Sequence, residues 1–114
     1  MVIESLRVVS KYHKGIDIAF PTGTHVLACE AGKVELAGWN DGLGKCIIIS
    51  HGGGLKTVYG HLSRINVTKG QAVVRGQFIG EVGSTGDSTG PHLHLGVMVN
   101  GSYVDPQKGW LSIP

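Results

Sequence analysis

The sequence predicts an all-β domain: an antiparallel sheet or sandwich with a strand-lined groove, glycine-rich turns and little or no helix. Three observations carry this. The chain has 19 glycines among 114 residues, and glycine is costly inside helices but at home in tight turns. Short runs alternate apolar and polar residues with a period of two, the signature of strands. No stretch of ordinary helix length repeats its apolar residues at three- and four-residue steps.

The elements follow in order. Ile16-Asp17-Ile18 and Lys33-Val34-Glu35-Leu36 alternate as half-buried strands. Cys46-Ile47-Ile48-Ile49 is continuously apolar, as in a strand buried on both faces. Thr57–Leu62 and His92–Val99 read as strands by the same test. Turn signals separate them at Pro21-Thr22-Gly23, Asn40-Asp41-Gly42, Gly52-Gly53-Gly54 and Lys69-Gly70. Asn100-Gly101 between two strand-like runs predicts a two-residue hairpin. The stretches Gly23–Gly38 and Gly70–Gly83 echo each other and read as two similar hairpins. A single domain over 1–114 is expected, with a short N-terminal segment (1–12) and a C-terminal tail (107–114) that packs Trp110 onto the sheet.

Composition narrows the function classes. With 41% hydrophobic and 16% charged residues, the chain is globular rather than disordered. A formal net charge of +2, with no Lys/Arg run and no aromatic ribbon, argues against nucleic acid and suits an anionic surface such as a cell wall. No apolar stretch is long enough to span a bilayer. The first residues lack the charged and apolar regions of a signal peptide; if the protein works outside a cell, its export signal is expected beyond this chain, or delivery by another route. Cys29 and Cys46 lie in apolar runs and read as buried free thiols, with a bridge between neighbouring strands as the alternative.

The strands also carry chemistry. In His92–Val99, alternation puts Leu93, Leu95, Val97 and Val99 toward a core, and His92, His94, Gly96 and Met98 on the other face. The backbones of His92 and His94 would be about 7 Å apart. One can ligate a metal while the other reaches a bound water or substrate. The same alternation assigns Val58 and Leu62 to one face, with Tyr59 and His61 on the other. Asp17 likewise opposes Ile16 and Ile18. Three strands thus each offer a group able to bind metal or carry a proton. His13 and Asp17 would be about 13 Å apart in an extended strand, too far to share an ion. Gly15 allows a bend that brings them together. Two histidines and a carboxylate suit zinc and leave a fourth position for water.

These residues resemble a known family. His13-Lys14-Gly15-Ile16-Asp17, Tyr59-Gly60-His61-Leu62-Ser63 and Gly83–His94 are similar to the HxxxD, YxHLS and GxTGxSTGPHLH elements of lysostaphin-type (LytM-like) metallopeptidases. The resemblance spans roughly residues 13–106. It implies Zn2+ held by His13, Asp17 and His94, with His61 and His92 as the catalytic pair. It also implies a peptidoglycan endopeptidase acting outside the cytoplasm, in the cell wall or periplasm, or delivered by a phage; the sequence does not fix the oligomeric state, and a monomer is assumed. Two departures stand out. Many members continue the HLH motif with Phe-Glu, where this chain has Leu95-Gly96, a change expected to widen the groove or remove an acceptor. The segment before His13 is short, so the strand that walls the groove there is expected to be reduced.

Three other readings are weaker. Gly86-Asp87-Ser88-Thr89-Gly90 and His51-Gly52-Gly53-Gly54 imitate a serine hydrolase, but Ser88 leads into a strand rather than a helix. His25 and His51 read as turn or strand-end residues without a ligand role. A hybrid-motif carrier domain would use two histidines but does not need Asp17. A silent wall-binding relative would keep the fold without turnover.

Overall fold

The computed structural model describes residues 8–12 and 14–106, the first stretch as backbone alone; residues 1–7, His13 and 107–114 fall outside it, and with them the expected packing of Trp110. The strands are β1 (Val8–Tyr12), β2 (Gly15–Ala19), β3 (His25–Leu27), β4 (Gly32–Asn40), β5 (Gly44–Gly52), β6 (Leu55–Ile65), β7 (Ala72–Val73), β8 (Phe78–Val82), β9 (His92–Val99) and β10 (Ser102–Val104). No helix occurs among the described residues. The main path of the sheet runs β1-β2-β9-β6-β5-β4-β7, with β10 on β9, and β8 joining β3 to β6. All the pairings are antiparallel.

The pairing of β2 with β9 positions the site. Ile16 lies opposite Leu95 and Ile18 opposite Leu93, while Asp17 lies opposite His94 and Ala19 opposite His92. Residues directly opposite share a face. The four apolar side chains are therefore driven into the core, where all are buried. Each such burial contributes about 1.5–3 kcal/mol. A slip of one residue would turn them into the groove and press Asp17 and His94 into the core, so the hydrophobic pattern fixes the register of the polar face.

One strand escapes the sequence reading, and two expectations need correction. The N-terminal segment includes β1, which pairs along β2 from Val8 opposite Ile18 to Tyr12 opposite Gly15. An irregularity between Val8 and Ser10 breaks its alternation, which hides the strand from a period-two test. The two echoing stretches are not separate hairpins. They pair with each other, β3 with β8 and β4 with β7. In β5, Ile47 and Ile49 enter the core but Ile48 lines the cleft, so that strand is not buried on both faces throughout.

The Asn100-Gly101 turn forms as expected. Both residues have positive φ, 50° and 83°, as a type I′ turn requires, and Val99 pairs with Ser102. Cys29 and Cys46 are buried and free.

Candidate metal and catalytic centre

Lys14, Asp17, His61, His92 and His94 line one cleft of about 1070 Å³, with the 87–91 loop, the 40–43 turn, Ile48 and Tyr103. Asp17 and His94 face each other across the β2–β9 ladder, each with 7% exposure. His94 Nε2 is 3.0 Å from the Lys14 carbonyl. A carbonyl oxygen only accepts, so Nε2 carries the proton. In neutral His94 the lone pair then sits on Nδ1, which is 2.8 Å from Asp17 Oδ1. Two acceptors at that distance need a cation or an added proton between them. Gly15 makes the approach possible. Its φ is +139°, and a Cβ there would collide with the Leu95 carbonyl.

His61 reaches the cleft by breaking alternation. Lys45 pairs with Leu62 and Ile47 with Tyr59, so β6 spends one residue more than β5 between them. This bulge falls at Gly60-His61, and His61 takes φ +61°. Tyr59 and Leu62 both belong to the core. Gly60 and Val58 lie opposite His94 and Gly96 on the cleft face. The expected grouping of His61 with Tyr59, and of Val58 with Leu62, is therefore corrected. Strict alternation fails because the bulge inserts a residue and turns His61 over.

The same logic fixes two more rings. His61 Nδ1–H donates to the Thr85 carbonyl at 2.7 Å, and His92 Nδ1–H donates to the Gly90 carbonyl at 2.8 Å. Each ring is left with Nε2 as its basic nitrogen. The two rings have centroids 4.6 Å apart, and His61 lies 6.1 Å from His94. His92 Nε2 is 3.6 Å from Asp17 Oδ2. Burial pushes the His61 imidazole below its ordinary value; the Thr85 carbonyl opposes this, and His92 and His94 reinforce it.

Ser88 stands beside His92, with Oγ 3.2 Å from Nδ1. The arrangement looks like a serine nucleophile and its base, but the tautomer is wrong. Nδ1 already donates to Gly90, and Ser88 Oγ–H donates to the same carbonyl at 2.8 Å. Nothing there can take the serine proton.

Among the described residues, no three His, Cys, Asp or Glu side chains gather as a metal site. Asp17 and His94 do stand together, and the third expected ligand, His13, lies outside the described residues. Gly96 does not widen the groove. A Cβ there would meet the Lys14 carbonyl at 2.8 Å and Tyr103 Cε1 at 3.0 Å, so the Tyr103 ring already occupies that space. His51 has no part in the cleft. It ties the Ala31 carbonyl to Thr57 Oγ1 at 2.8 Å each, beside the buried hydroxyl of Tyr59. Sequence reading missed the Lys14, Thr85 and Gly90 carbonyls, which carry no residue-type signal. Gly60 within a strand was the available sign of the bulge.

The sequence profile of Peptidase family M23 matches residues 11–106. Peptidoglycan DD-endopeptidase ShyA of Vibrio cholerae is 45% identical over 96 residues, covering 84% of this chain and 22% of that protein. A zinc-containing peptidase from Vibrio cholerae superposes with a TM-score of 0.86 at 37% identity, covering 99% of this chain and 39% of that one. The antimicrobial peptidase lysostaphin from Staphylococcus simulans gives a TM-score of 0.83 at 38% identity, covering 91% and 48%. The chain spans about a quarter of the length of the curated relatives it matches. Profile, relatives and fold agree, and this chain belongs to peptidase family M23, the zinc metallopeptidases of the lysostaphin type.

Proposed function

We propose that this domain is a zinc-dependent endopeptidase that hydrolyses peptide bonds in the stem peptides or cross-bridges of peptidoglycan, outside the cytoplasm. The observation that carries the reading is the 2.8 Å approach of His94 Nδ1 to Asp17 Oδ1, with Nε2 committed to the Lys14 carbonyl. This buried nitrogen-and-carboxylate donor set fits zinc. His13, the residue before Lys14, is the third proposed ligand. Zinc, when bound, lowers the pKa of a bound water and polarises a carbonyl.

The remaining work falls to the chain itself. The bare Nε2 atoms of His61 and His92 can take a proton from the attacking water and return it to the leaving amine. Burial favours neutral His61, the form that accepts a proton. The names of ShyA, a peptidoglycan DD-endopeptidase, and of lysostaphin, a peptidase, support the substrate class. The test is mass spectrometry of purified peptidoglycan incubated with the protein, with and without a zinc chelator. Newly cleaved peptide bonds that vanish with chelator are expected. Intact peptidoglycan with the zinc-loaded protein would leave a wall-binding role instead.

A further inference from the structure

His61 occupies a left-handed backbone conformation that a residue with a side chain rarely adopts, φ +61°. Such a conformation persists only where its surroundings hold it. One anchor is the His61 amide, which donates to the Leu43 carbonyl at 2.7 Å. The others converge on Thr85. Its carbonyl accepts His61 Nδ1–H at 2.7 Å. Its hydroxyl donates to the Leu62 carbonyl at 2.6 Å and accepts the Lys45 amide at 3.0 Å. Lys45 and Leu62 are the pair at the edge of the bulge that contains His61. The Thr85 hydroxyl thus bridges the two strands where their ladder is disturbed.

We infer that Thr85 is a positioning residue for His61: its hydroxyl locks the bulge while its carbonyl fixes which ring nitrogen is basic. The two functions come from one residue, so the bond that secures the strands also places the carbonyl that orients the ring. Neighbouring glycines allow this close seating. Gly86 has φ +75°, and a Cβ on Gly86 or on Gly44 would strike the backbone of the other's segment. The inference rests on the proposed role of His61 in hydrolysis, but the placement of the ring can be read without turnover.

The experiment compares wild type with T85V, which keeps the shape but lacks the hydroxyl, and with T85S, which keeps the hydroxyl. The readings are kcat and KM on a soluble peptidoglycan peptide, zinc content, and the imidazole N–H resonances in proton–nitrogen NMR. For T85V, kcat is expected to fall by about 10- to 100-fold with KM and zinc content little changed. The protected His61 Nδ1–H resonance should disappear. T85S should restore kcat to within about 3-fold of wild type, together with the resonance. Wild-type kcat in T85V, or an intact His61 resonance there, would overturn the inference, as would T85S behaving like T85V. If T85V does not fold, T85A takes its place under the same criteria. Wild-type protein that leaves peptidoglycan uncut removes the proposed reaction, whereas the resonance still decides whether Thr85 places the ring.

Discussion

His94 turns an unprotonated Nδ1 to Asp17 Oδ1, 2.8 Å away, because Nε2 on the other side of the ring donates its N–H to the Lys14 carbonyl at 3.0 Å. Breaking either side of this pair should release metal without dissolving the sheet, since the strands are held by the apolar residues on the opposite face. Asp17→Asn and His94→Ala are expected to weaken zinc binding by more than the roughly 10- to 100-fold typical of losing a supporting partner. Elemental analysis after dialysis, with circular dichroism as the control for folding, checks this. Zinc retained at wild-type stoichiometry would remove the residue from the ligand set.

His61→Ala should behave differently. It leaves Asp17 and His94 in place, so zinc is retained, while turnover drops by about 10²- to 10⁴-fold. Full activity in this variant would exclude His61 from the mechanism.

The pH dependence of His61 has a definite sign. Burial lowers its pKa below the ordinary 6.5, so the folded protein favours the neutral ring. As pH falls below 6.5, the unfolded chain takes up this proton first. The stability contributed by neutral His61 is thus present above that value and is lost as pH drops through the folded-state pKa. Melting temperatures of the metal-free protein measured from pH 7.5 downward should fall more steeply for wild type than for His61→Gln. Parallel curves would contradict the shift.

Gly96 is expected to be intolerant. An alanine there would press on the Lys14 carbonyl and on Tyr103. Displacing that carbonyl loosens the tautomer of His94, and zinc affinity should fall by about 10- to 100-fold. Tyr103→Ala added to Gly96→Ala relieves only the ring contact and leaves the clash with the carbonyl, so the affinity should stay low. Unchanged metal binding in Gly96→Ala would show that the carbonyl can move without consequence.

Tyr59→Phe tests the core behind the site. The Tyr59 hydroxyl accepts the Cys29 amide at 3.0 Å and lies 2.8 Å from Thr57 Oγ1, all of it buried. Removing it strands a buried donor, at a cost of about 1–3 kcal/mol. Urea unfolding should show a lower midpoint with an unchanged slope, and zinc content should not change.

Alternation makes β2 and β9 readable, because each has a clean apolar face and a polar one, and it places Asp17, His92 and His94 on a common face from the sequence alone. The Asn100-Gly101 turn was readable for a local reason, two adjacent residues that tolerate positive φ. His61 was named correctly as a cleft residue but for the wrong geometric reason. A bulge depends on how many residues the partner strand supplies, and one strand's sequence does not contain that count. The crossed pairing of β3 with β8 and of β4 with β7 was hidden likewise, since similar segments do not say which of them meet. Tyr103 went unnoticed because its importance lies in the side chain that Gly96 lacks.

The residues joined across β2 and β9 are 77 positions apart in the chain. Long-range strand pairing of this kind forms slowly, after distant segments have closed on each other. Between them runs the exposed turn near Thr68–Gly70. A chain divided there would carry Asp17 and His61 on one fragment and His92 and His94 on the other. Neither fragment would hold the whole proposed site, so under the proposed reaction any hydrolysis would report the reunion of the two halves.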